Sequence, residues 1–283
     1  MRARAPASSA NLGPGFDVLA LALALYVEVE IVPAERFSLS SEGEGSAIAC
    51  DGQHLAAQVA SAVCGHDRLA IRIRSEIPIR RGLGSSAALA VAVAAAAGAP
   101  DPLKVAGGFE GHLENAAASV SGGLVSAALL DTGPVLRRFP LDPGLAFVLL
   151  IPERELATSE ARRALKPDVT RADAVFNLSR MALLLAGLAD RSVLIGDAGD
   201  DRLHQFERSR LFPEAAELLA RLAKAGALVS CWSGAGPSLL GICDGPLAAA
   251  RVRDAGEAAL EAVAVPGRAV VLSPDLEGLV LER

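Results

Sequence analysis

The sequence is poor in cysteine and aromatic residues, and it lacks a basic excess and a long apolar run. The four cysteines, Cys50, Cys64, Cys231 and Cys243, form no C-x-x-C pair, which argues against a disulfide framework or a zinc site. The net charge of −6 disfavours a nucleic-acid-binding protein. The apolar run 18–27 is about half the length of a membrane-spanning helix, and no signal peptide is visible. We therefore expect a soluble, cytoplasmic protein with neither nucleic acid nor membrane as a partner.

The composition is that of a folded protein with a large core. Hydrophobic residues make up 52% of the 283 residues and aromatic residues only 4%, so aliphatic side chains must do most of the packing. Segments 25–31 and 68–74 alternate apolar and polar residues, as half-buried strands do. Strands and helices mix without a regular βα repeat, which predicts an α+β fold. A division near residue 150 would give domains at 1–150 and 151–283.

The remaining pattern predicts further helices and strands. Helices are expected where apolar residues run without a breaker or between cap signals, at 54–64, 87–97, 102–112, 159–165, 172–189, 214–225 and 247–263. Strands are expected at 123–130, 146–152 and 268–273, and two more flank a glycine-rich turn within 227–243.

A glycine- and serine-rich loop at 82–86 runs directly into the alanine-rich helix. Backbone N–H groups at a helix start lack intrahelical partners, and the helix dipole adds positive charge there. Glycines let an anion approach this backbone, and serine hydroxyls can bind phosphate or Mg²⁺. The loop fits neither the Walker A pattern nor G-x-G-x-x-G. It predicts a phosphate site, and the alternative is a plain loop–helix junction.

Two other stretches are rich in glycine and proline. Residues 233–238 read S-G-A-G-P-S between two apolar runs, and residues 6–17 read P-A-S-S-A-N-L-G-P-G-F-D. Each alone is typical of a turn or loop. The second also carries Asn11 and Asp17, whose polar groups could orient a ligand.

Taken together, in this order and spacing, the three stretches resemble the motifs of the GHMP small-molecule kinases. Residues 110–115 (E-G-H-L-E-N), 158–165 (T-S-E-A-R-R-A-L) and 201–213 (D-R-L-H-Q-F-E-R-S-R-L-F-P) are similar to further segments of that family, most closely of its members that phosphorylate L-homoserine. The matches extend from residue 6 to about 240. The resemblance implies a two-part fold, with an N-terminal part like ribosomal protein S5 domain 2 and a ferredoxin-like C-terminal part.

The resemblance also implies an activity and a nucleotide site. The γ-phosphoryl group of ATP would pass to the side-chain hydroxyl of L-homoserine, a step of threonine biosynthesis. Ser86 and Glu110 would bind Mg²⁺, which takes few protein oxygens and completes its octahedron with water and phosphate. The residues implied to hold ATP and its phosphates are Pro78, Arg81, Gly82, Leu83, Gly84, Ser85, Ser86 and Ala87.

The substrate is a zwitterion with a hydroxyl, and the resemblance implies a group for each part. Arg162 and Arg208 would hold the carboxylate, because a guanidinium can grip it through two parallel hydrogen bonds. Asp17 would accept the ammonium, and Asn11 would orient the hydroxyl. His112 and Gly234 would lie beside the substrate. No residue matches a catalytic base, and phosphoryl transfer can proceed by positioning and charge neutralisation. A homodimer is also implied.

Several points stay open. Arg163 could replace Arg162, and Arg202 or Arg210 could replace Arg208. Four residues depart from the family pattern, namely Ala20, Leu113, Glu114 and Lys166. The alternatives in function are a GHMP kinase for another alcohol, such as pantoate, shikimate or a mevalonate-pathway substrate, and a non-catalytic binding protein of this fold.

Overall fold

The protein, described by a computed structural model over residues 1–282, contains two β-sheets. The larger sheet has the order β11-β1-β2-β4-β3, and β5 extends it by pairing with β2 and with β6. The smaller sheet has the order β10-β7-β9-β8. The strands are β1 (Arg2–Ala10), β2 (Leu19–Pro33), β3 (Ser38–Gly43), β4 (Leu69–Ser75), β5 (Leu124–Leu130), β6 (Gly133–Phe139), β7 (Leu145–Pro152), β8 (Ala227–Trp232), β9 (Leu239–Asp244), β10 (Gly267–Leu272) and β11 (Val280–Glu282).

Helices cover one face of each sheet. They are α1 (Leu55–Cys64), α2 (Ser85–Ala96), α3 (Pro102–Glu110), α4 (Glu114–Ser121), α5 (Thr158–Arg163), α6 (Arg171–Ala189), α7 (Gln205–Arg208), α8 (Ala215–Lys224) and α9 (Gly245–Ala262), with 3₁₀ turns at Arg191–Val193 and Gly196–Gly199. Helix α2 is built almost entirely from alanine and valine and is buried on nearly every side. Its small side chains allow it to pack against β1, β2 and three neighbouring helices at once.

The pairing of β2 with β4 confirms both alternating segments as strands. Val29 lies opposite Ile73, and Ile31 opposite Ile71, and all four are buried. Burial of one face and exposure of the other is what an alternating pattern predicts. Strand β2 starts earlier than the alternation indicates, at Leu19, because its first residues are covered on both faces.

The smaller sheet has ferredoxin-like connectivity. Along the chain the order is β7, α8, β8, β9, α9 and β10, with α5, α6 and α7 inserted before α8. Counted in chain order, the strands lie across the sheet as fourth, first, third and second. Two sheets, each packed against helices, confirm the α+β prediction. Strand β7, Leu145–Pro152, already belongs to the smaller sheet, and β11 returns to pair with β1. The domain boundary at residue 150 stays a prediction.

The predicted helices are confirmed to within a few residues, but residues 6–10 differ from the prediction, and it contains no counterpart of β3, β6, β11, α4 and α7. Residues 6–10, predicted as loop, lie in β1, where Pro6 sits at a register shift against β2 and so interrupts the pairing only locally. Helix α4 has no counterpart in the prediction. It is eight residues long, buried from Glu114 to Ser119, and begins after Leu113, which makes no capping hydrogen bond, so the usual start signal is missing.

Candidate active site

The three glycine-rich stretches meet at one place between the two sheets. The N–H of Gly234 donates to the carbonyl of Ala10 at 2.9 Å, and the side-chain amide of Asn11 donates to the carbonyl of Gly234 at 2.8 Å. The Ser233 hydroxyl donates to the carbonyl of Gly82 at 2.7 Å. Segments far apart in the sequence therefore form one continuous wall.

At two positions of the phosphate loop, neighbouring residues come too close for any residue but glycine. Gly82 has a φ of +70°, and a Cβ there would lie 2.1 Å from the carbonyl oxygen of Ser233. Gly84 has a φ of +65°, and a Cβ would lie 2.2 Å from the hydroxyl of Ser8. Left-handed backbone and close approach both exclude a side chain. Gly84 is also the N-cap of α2 and provides no capping side chain, so the first N–H groups of the helix are left for a ligand.

A cavity of about 390 Å³ opens in front of this wall. Every residue to which the resemblance assigns a role lines it: Asn11, Asp17, Pro78, Arg81, Gly82, Leu83, Gly84, Ser85, Ser86, Ala87, Glu110, His112, Arg162, Arg208 and Gly234. Sequence reasoning gave no site role to an apolar patch of Ile48, Leu55, Ile79 and Leu89, or to the polar residues His54, Glu114, Asn115 and Thr158. The E-G-H-L-E-N stretch could have pointed to Asn115.

One end of the cavity carries the pair of oxygen donors expected for Mg²⁺. The Ser86 hydroxyl, in the first turn of α2, donates to Oε1 of Glu110 at 2.5 Å. Glu110 ends α3, which packs against α2, so helix packing brings the two side chains together. A carboxylate and a hydroxyl are hard oxygen ligands, and few of them suffice for Mg²⁺. The residues present therefore fit this ion.

The other end is lined by paired charges. Arg162 donates to both carboxylate oxygens of Asp17, with Nη1 2.8 Å from Oδ2 and Nη2 2.7 Å from Oδ1. The hydrogen bond to Asp17 raises the pKa of Arg162 above its ordinary value, against the opposing effect of burial. Asn11 supports the pair, because its Oδ1 accepts a hydrogen bond from the backbone N–H of Asp17 at 3.0 Å.

Arg208 lies deeper, with 2% of its surface exposed. Its Nη1 donates to the carbonyl of Gly234 at 2.9 Å. Burial lowers the pKa of Arg208 to about 10, in spite of the charge of Asp17. The guanidinium is still charged at neutral pH, and among the described residues its Nε has no hydrogen-bond partner. It is available to an anion.

The neighbouring arginines differ in position, and which of them holds a substrate carboxylate stays a prediction. Arg162 and Arg208 line the cavity, whereas Arg163 does not. Arg210 pairs with Glu207 at 2.9 Å and Arg202 lies 3.6 Å from Asp173, both on surfaces outside the cavity. The arginines picked by the motif match are therefore the ones that face the site.

His112 lies between two carboxylates. Its Nδ1 is 3.2 Å from Oε1 of Glu114, and its Nε2 is 3.8 Å from Oε2 of Glu110. Burial opposes a charge on the ring, but the two carboxylates outweigh it and raise the pKa of His112. Asn115 is held next to them, because its Oδ1 accepts from Ser8 at 2.9 Å and its Nδ2 donates to Glu114 at 3.1 Å.

Two of the predicted site residues already use their polar groups within the protein. The guanidinium of Arg81 donates to the carbonyls of Pro152 at 2.7 Å and Ile79 at 2.8 Å, and also to the carbonyl of Glu153. Arg81 thus ties the phosphate loop to the end of β7. The side chain of Asn11 uses one amide hydrogen on Gly234 and one oxygen lone pair on Asp17, so it joins the walls of the cavity and keeps one hydrogen and one lone pair.

An anion-binding helix start beside a pair of oxygen donors, with cations and a carboxylate at the far end, defines a site for transferring a phosphoryl group to a small molecule. The family models agree: the GHMP kinases N terminal domain matches residues 53–123 and the GHMP kinases C terminal model matches residues 183–262. The chain belongs to the GHMP kinases.

Curated relatives extend over most of the chain. It is 37% identical to a homoserine kinase of Moorella thermoacetica, over 86% of this chain and 87% of the relative. It is 33% identical to one from Desulfitobacterium hafniense, over 98% of both. A crystal structure of homoserine kinase from Cytophaga hutchinsonii superposes with a TM-score of 0.87 at 25% identity, over 99% of this chain and 96% of the other. An L. major mevalonate kinase shares the fold alone, with a TM-score of 0.64 at 15% identity over 95% of this chain and 94% of that one.

Proposed function

We propose that the protein uses ATP to phosphorylate the side-chain hydroxyl of L-homoserine, giving O-phospho-L-homoserine for threonine biosynthesis. The observation that carries the proposal is the set of charges at the far end of the cavity. The Nε of Arg208 has no hydrogen-bond partner among the described residues, and the guanidinium is close enough to Asp17 and Arg162 to feel both charges. An amino acid presents one carboxylate and one ammonium, and this set offers a partner to each. The homoserine kinases among the relatives support the same substrate.

The nucleotide belongs at the glycine-rich end. The triphosphate would lie against the 82–86 loop and the start of α2, where N–H groups and the helix dipole favour negative charge. Ser86 and Glu110 would hold Mg²⁺, which neutralises charge on the phosphates when it is bound. The apolar patch of Ile48, Ile79 and Leu89 offers a surface for the purine ring.

Homoserine would exchange partners with the Asp17–Arg162 pair. Its carboxylate would take hydrogen bonds from Arg162 and Arg208, and its ammonium would donate to Asp17. Arg162 would then exchange the carboxylate of Asp17 for that of the substrate, and Asp17 would exchange the guanidinium for the ammonium. Neither charge loses its partner, so the desolvation cost stays low. Asn11 and Gly234 would fix the walls that orient the hydroxyl, with His112 next to the substrate. Positioning, and not a general base, would supply the catalysis.

The alternative alcohols fit this set of charges less well. Pantoate, shikimate and mevalonate carry a carboxylate but no ammonium, so Asp17 would have no partner in place of Arg162. A non-catalytic role is disfavoured because the loop glycines, Ser86 and Glu110 are all in place.

The location and assembly of the protein stay predictions. By length and composition α6 could cross a membrane, which is weak evidence. On this helix, Asn177 donates to Asp201 at 2.7 Å and to the carbonyl of Pro14 at 3.2 Å, and these bonds tie α6 to the loop of the substrate end. A cytoplasmic enzyme is consistent with these contacts. Sedimentation velocity of the purified protein would test the homodimer.

The deciding experiment is a coupled ADP-release assay with ATP and Mg²⁺. It compares L-homoserine with pantoate, shikimate, mevalonate and L-threonine at equal concentrations. We expect a kcat/KM for homoserine of at least about 10³ M⁻¹s⁻¹, within reach of ordinary enzyme values, and far above the other four. Preferred turnover of another alcohol would leave a GHMP kinase with a different substrate. Absence of any turnover would favour the binding-protein alternative.

A further inference from the structure

His204 has no role in the site described so far, although it precedes Arg208 by one helical turn. It is the N-cap residue of α7, and its side chain is completely buried. The backbone N–H groups at this turn are satisfied by Asp201, whose Oδ2 accepts from His204 at 2.8 Å and from Gln205 at 2.7 Å. The imidazole is therefore not needed to cap the helix, and its buried polar atoms require another explanation.

The two ring nitrogens face partners of opposite kinds. Nε2 lies 2.8 Å from the carbonyl oxygen of Gly13, which can only accept, so Nε2 must carry the proton. Nδ1 lies 2.9 Å from Nη1 of Arg208, which can only donate, so Nδ1 must be the bare acceptor. The ring is thus held in one neutral tautomer.

Burial keeps the ring neutral, although the charges around it act in both directions. Burial lowers the pKa of His204 to about 4, against the charge of Asp201, whose Oδ2 is 3.7 Å from Nε2. The charge of Arg208 acts in the same direction as burial, and that of Asp17 acts against it. At neutral pH the ring can therefore accept a hydrogen bond from a cation.

This contact fixes the orientation of the Arg208 guanidinium. Both hydrogens of Nη1 are used, one by His204 and one by the carbonyl of Gly234. The ring of Phe16 stacks on His204 with centroids 5.2 Å apart, and the guanidinium carbon lies 5.4 Å from the same ring. With Nη1 anchored and one face covered, the donors left for a planar anion are Nη2 and Nε, and Nε has no partner among the described residues.

We propose that His204 is a positioning residue for substrate recognition: it aims the Nε–Nη2 edge of Arg208 at the substrate carboxylate and links that arginine to the Gly13 loop. The inference rests on the proposed function, because it takes the carboxylate of homoserine as the ligand of Arg208. It predicts an effect on the affinity for homoserine that is separate from the effect on folding.

The test compares two substitutions that each keep one of the two hydrogen bonds. In His204→Asn the amide oxygen falls near the position of Nδ1 and can still accept from Arg208. In His204→Gln the amide nitrogen falls near Nε2 and can still donate to Gly13. We expect His204→Gln to raise the KM for homoserine about tenfold or more, as for a lost hydrogen bond to a charged group, while the KM for ATP changes little. His204→Asn should show a much smaller rise.

A matched control uses the next residue on the same helix. The Gln205 side chain accepts from the N–H of Trp232 at 2.8 Å and donates to the carbonyl of Gly199 at 3.3 Å, and neither of these hydrogen bonds involves Arg208. Gln205→Ala should lower the melting temperature and leave the KM for homoserine unchanged. If the KM rises in step with the loss of melting temperature across all three variants, His204 is merely structural and the inference is overturned.

A double-mutant cycle gives a second, independent criterion. If His204 acts through Arg208, then His204→Gln should cause no further rise in the homoserine KM in an Arg208→Ala background. An equal rise in both backgrounds would refute the proposal. Turnover of homoserine by the unmodified enzyme tests the proposed function alone, so its failure can be told apart from failure of the positioning role.

Discussion

Replacing Asp17 by asparagine tests the substrate end with little risk to the fold. Asp17 has a φ of +57°, a left-handed conformation that asparagine tolerates better than most residues. The bond from its N–H to Asn11 does not involve the carboxylate and is retained. About a third of the Asp17 side chain and of the Arg162 side chain is exposed, so loss of the ion pair should cost about 1 kcal/mol of stability or less.

The expected effect on catalysis is larger. In the proposed complex the Asp17 carboxylate accepts the substrate ammonium, a charge-assisted interaction of about 1.5–3 kcal/mol. At about 1.4 kcal/mol per factor of ten, its loss lowers kcat/KM for homoserine roughly 10- to 150-fold. The effect should fall mainly on KM, because a ground-state contact is removed. The assay is ADP release at saturating ATP over a homoserine titration, with the KM for ATP and the melting temperature measured alongside.

Two controls separate recognition of the ammonium from general damage. Glu217→Gln removes a similarly exposed pair with Arg221 on α8, outside the cavity, and should leave all kinetic constants unchanged. The homoserine analogue 4-hydroxybutyrate lacks the ammonium and so cannot use Asp17. It should therefore inhibit the Asp17→Asn variant at least as strongly as it inhibits the unmodified enzyme. A kcat/KM for homoserine within twofold of the unmodified value would refute the role given to Asp17.

Three further predictions concern the rest of the cavity. Gly84→Ala should lower the free energy of unfolding by at least the roughly 1–2 kcal/mol cost of a left-handed residue, because its Cβ would also displace Ser8. It should also raise the KM for ATP. Chemical denaturation measures the first effect and ADP release the second. Glu110→Gln should weaken Mg²⁺ activation at least about tenfold, since only the Ser86 hydroxyl is left unchanged, as an Mg²⁺ titration of the rate would show. Because the pKa of His112 is raised in the folded protein, its charged form stabilises the fold fully below the unfolded-state pKa, near 6.5. This stabilisation is lost as the pH rises through the folded-state pKa. Between these two pKa values, the melting temperature should fall less with rising pH in His112→Gln than in the unmodified protein.

The sequence was most informative where a pattern is local. Gly65 ends α1 in a left-handed conformation as its type predicts, and Pro102 opens α3 with Asp101 as its cap. The glycines of the 82–86 loop were also informative, because a left-handed backbone and a close approach both demand glycine. Helix α4 was missed because it is short and begins after Leu113, which provides no capping side chain.

The site was predictable in its members but not in its pairings. A motif match assigns Asn11 and Arg81 to the cavity, yet both also bond to backbone carbonyls or N–H groups, and such bonds depend on the tertiary contacts between distant loops. The same holds for His204, which no spacing argument connects to the carbonyl of Gly13, 191 positions away in the chain.

The departures from the family pattern also acquire physical partners only in the folded structure. Lys166, in the connection after α5, pairs with Glu207 at 2.9 Å, and Glu207 immediately precedes Arg208. The substitution therefore ties the element that carries Arg162 to the element that carries Arg208. Most of the lysine side chain is exposed, so the pair adds little stability by itself. In the complex proposed above, a substrate carboxylate would lie between the two elements that this pair connects.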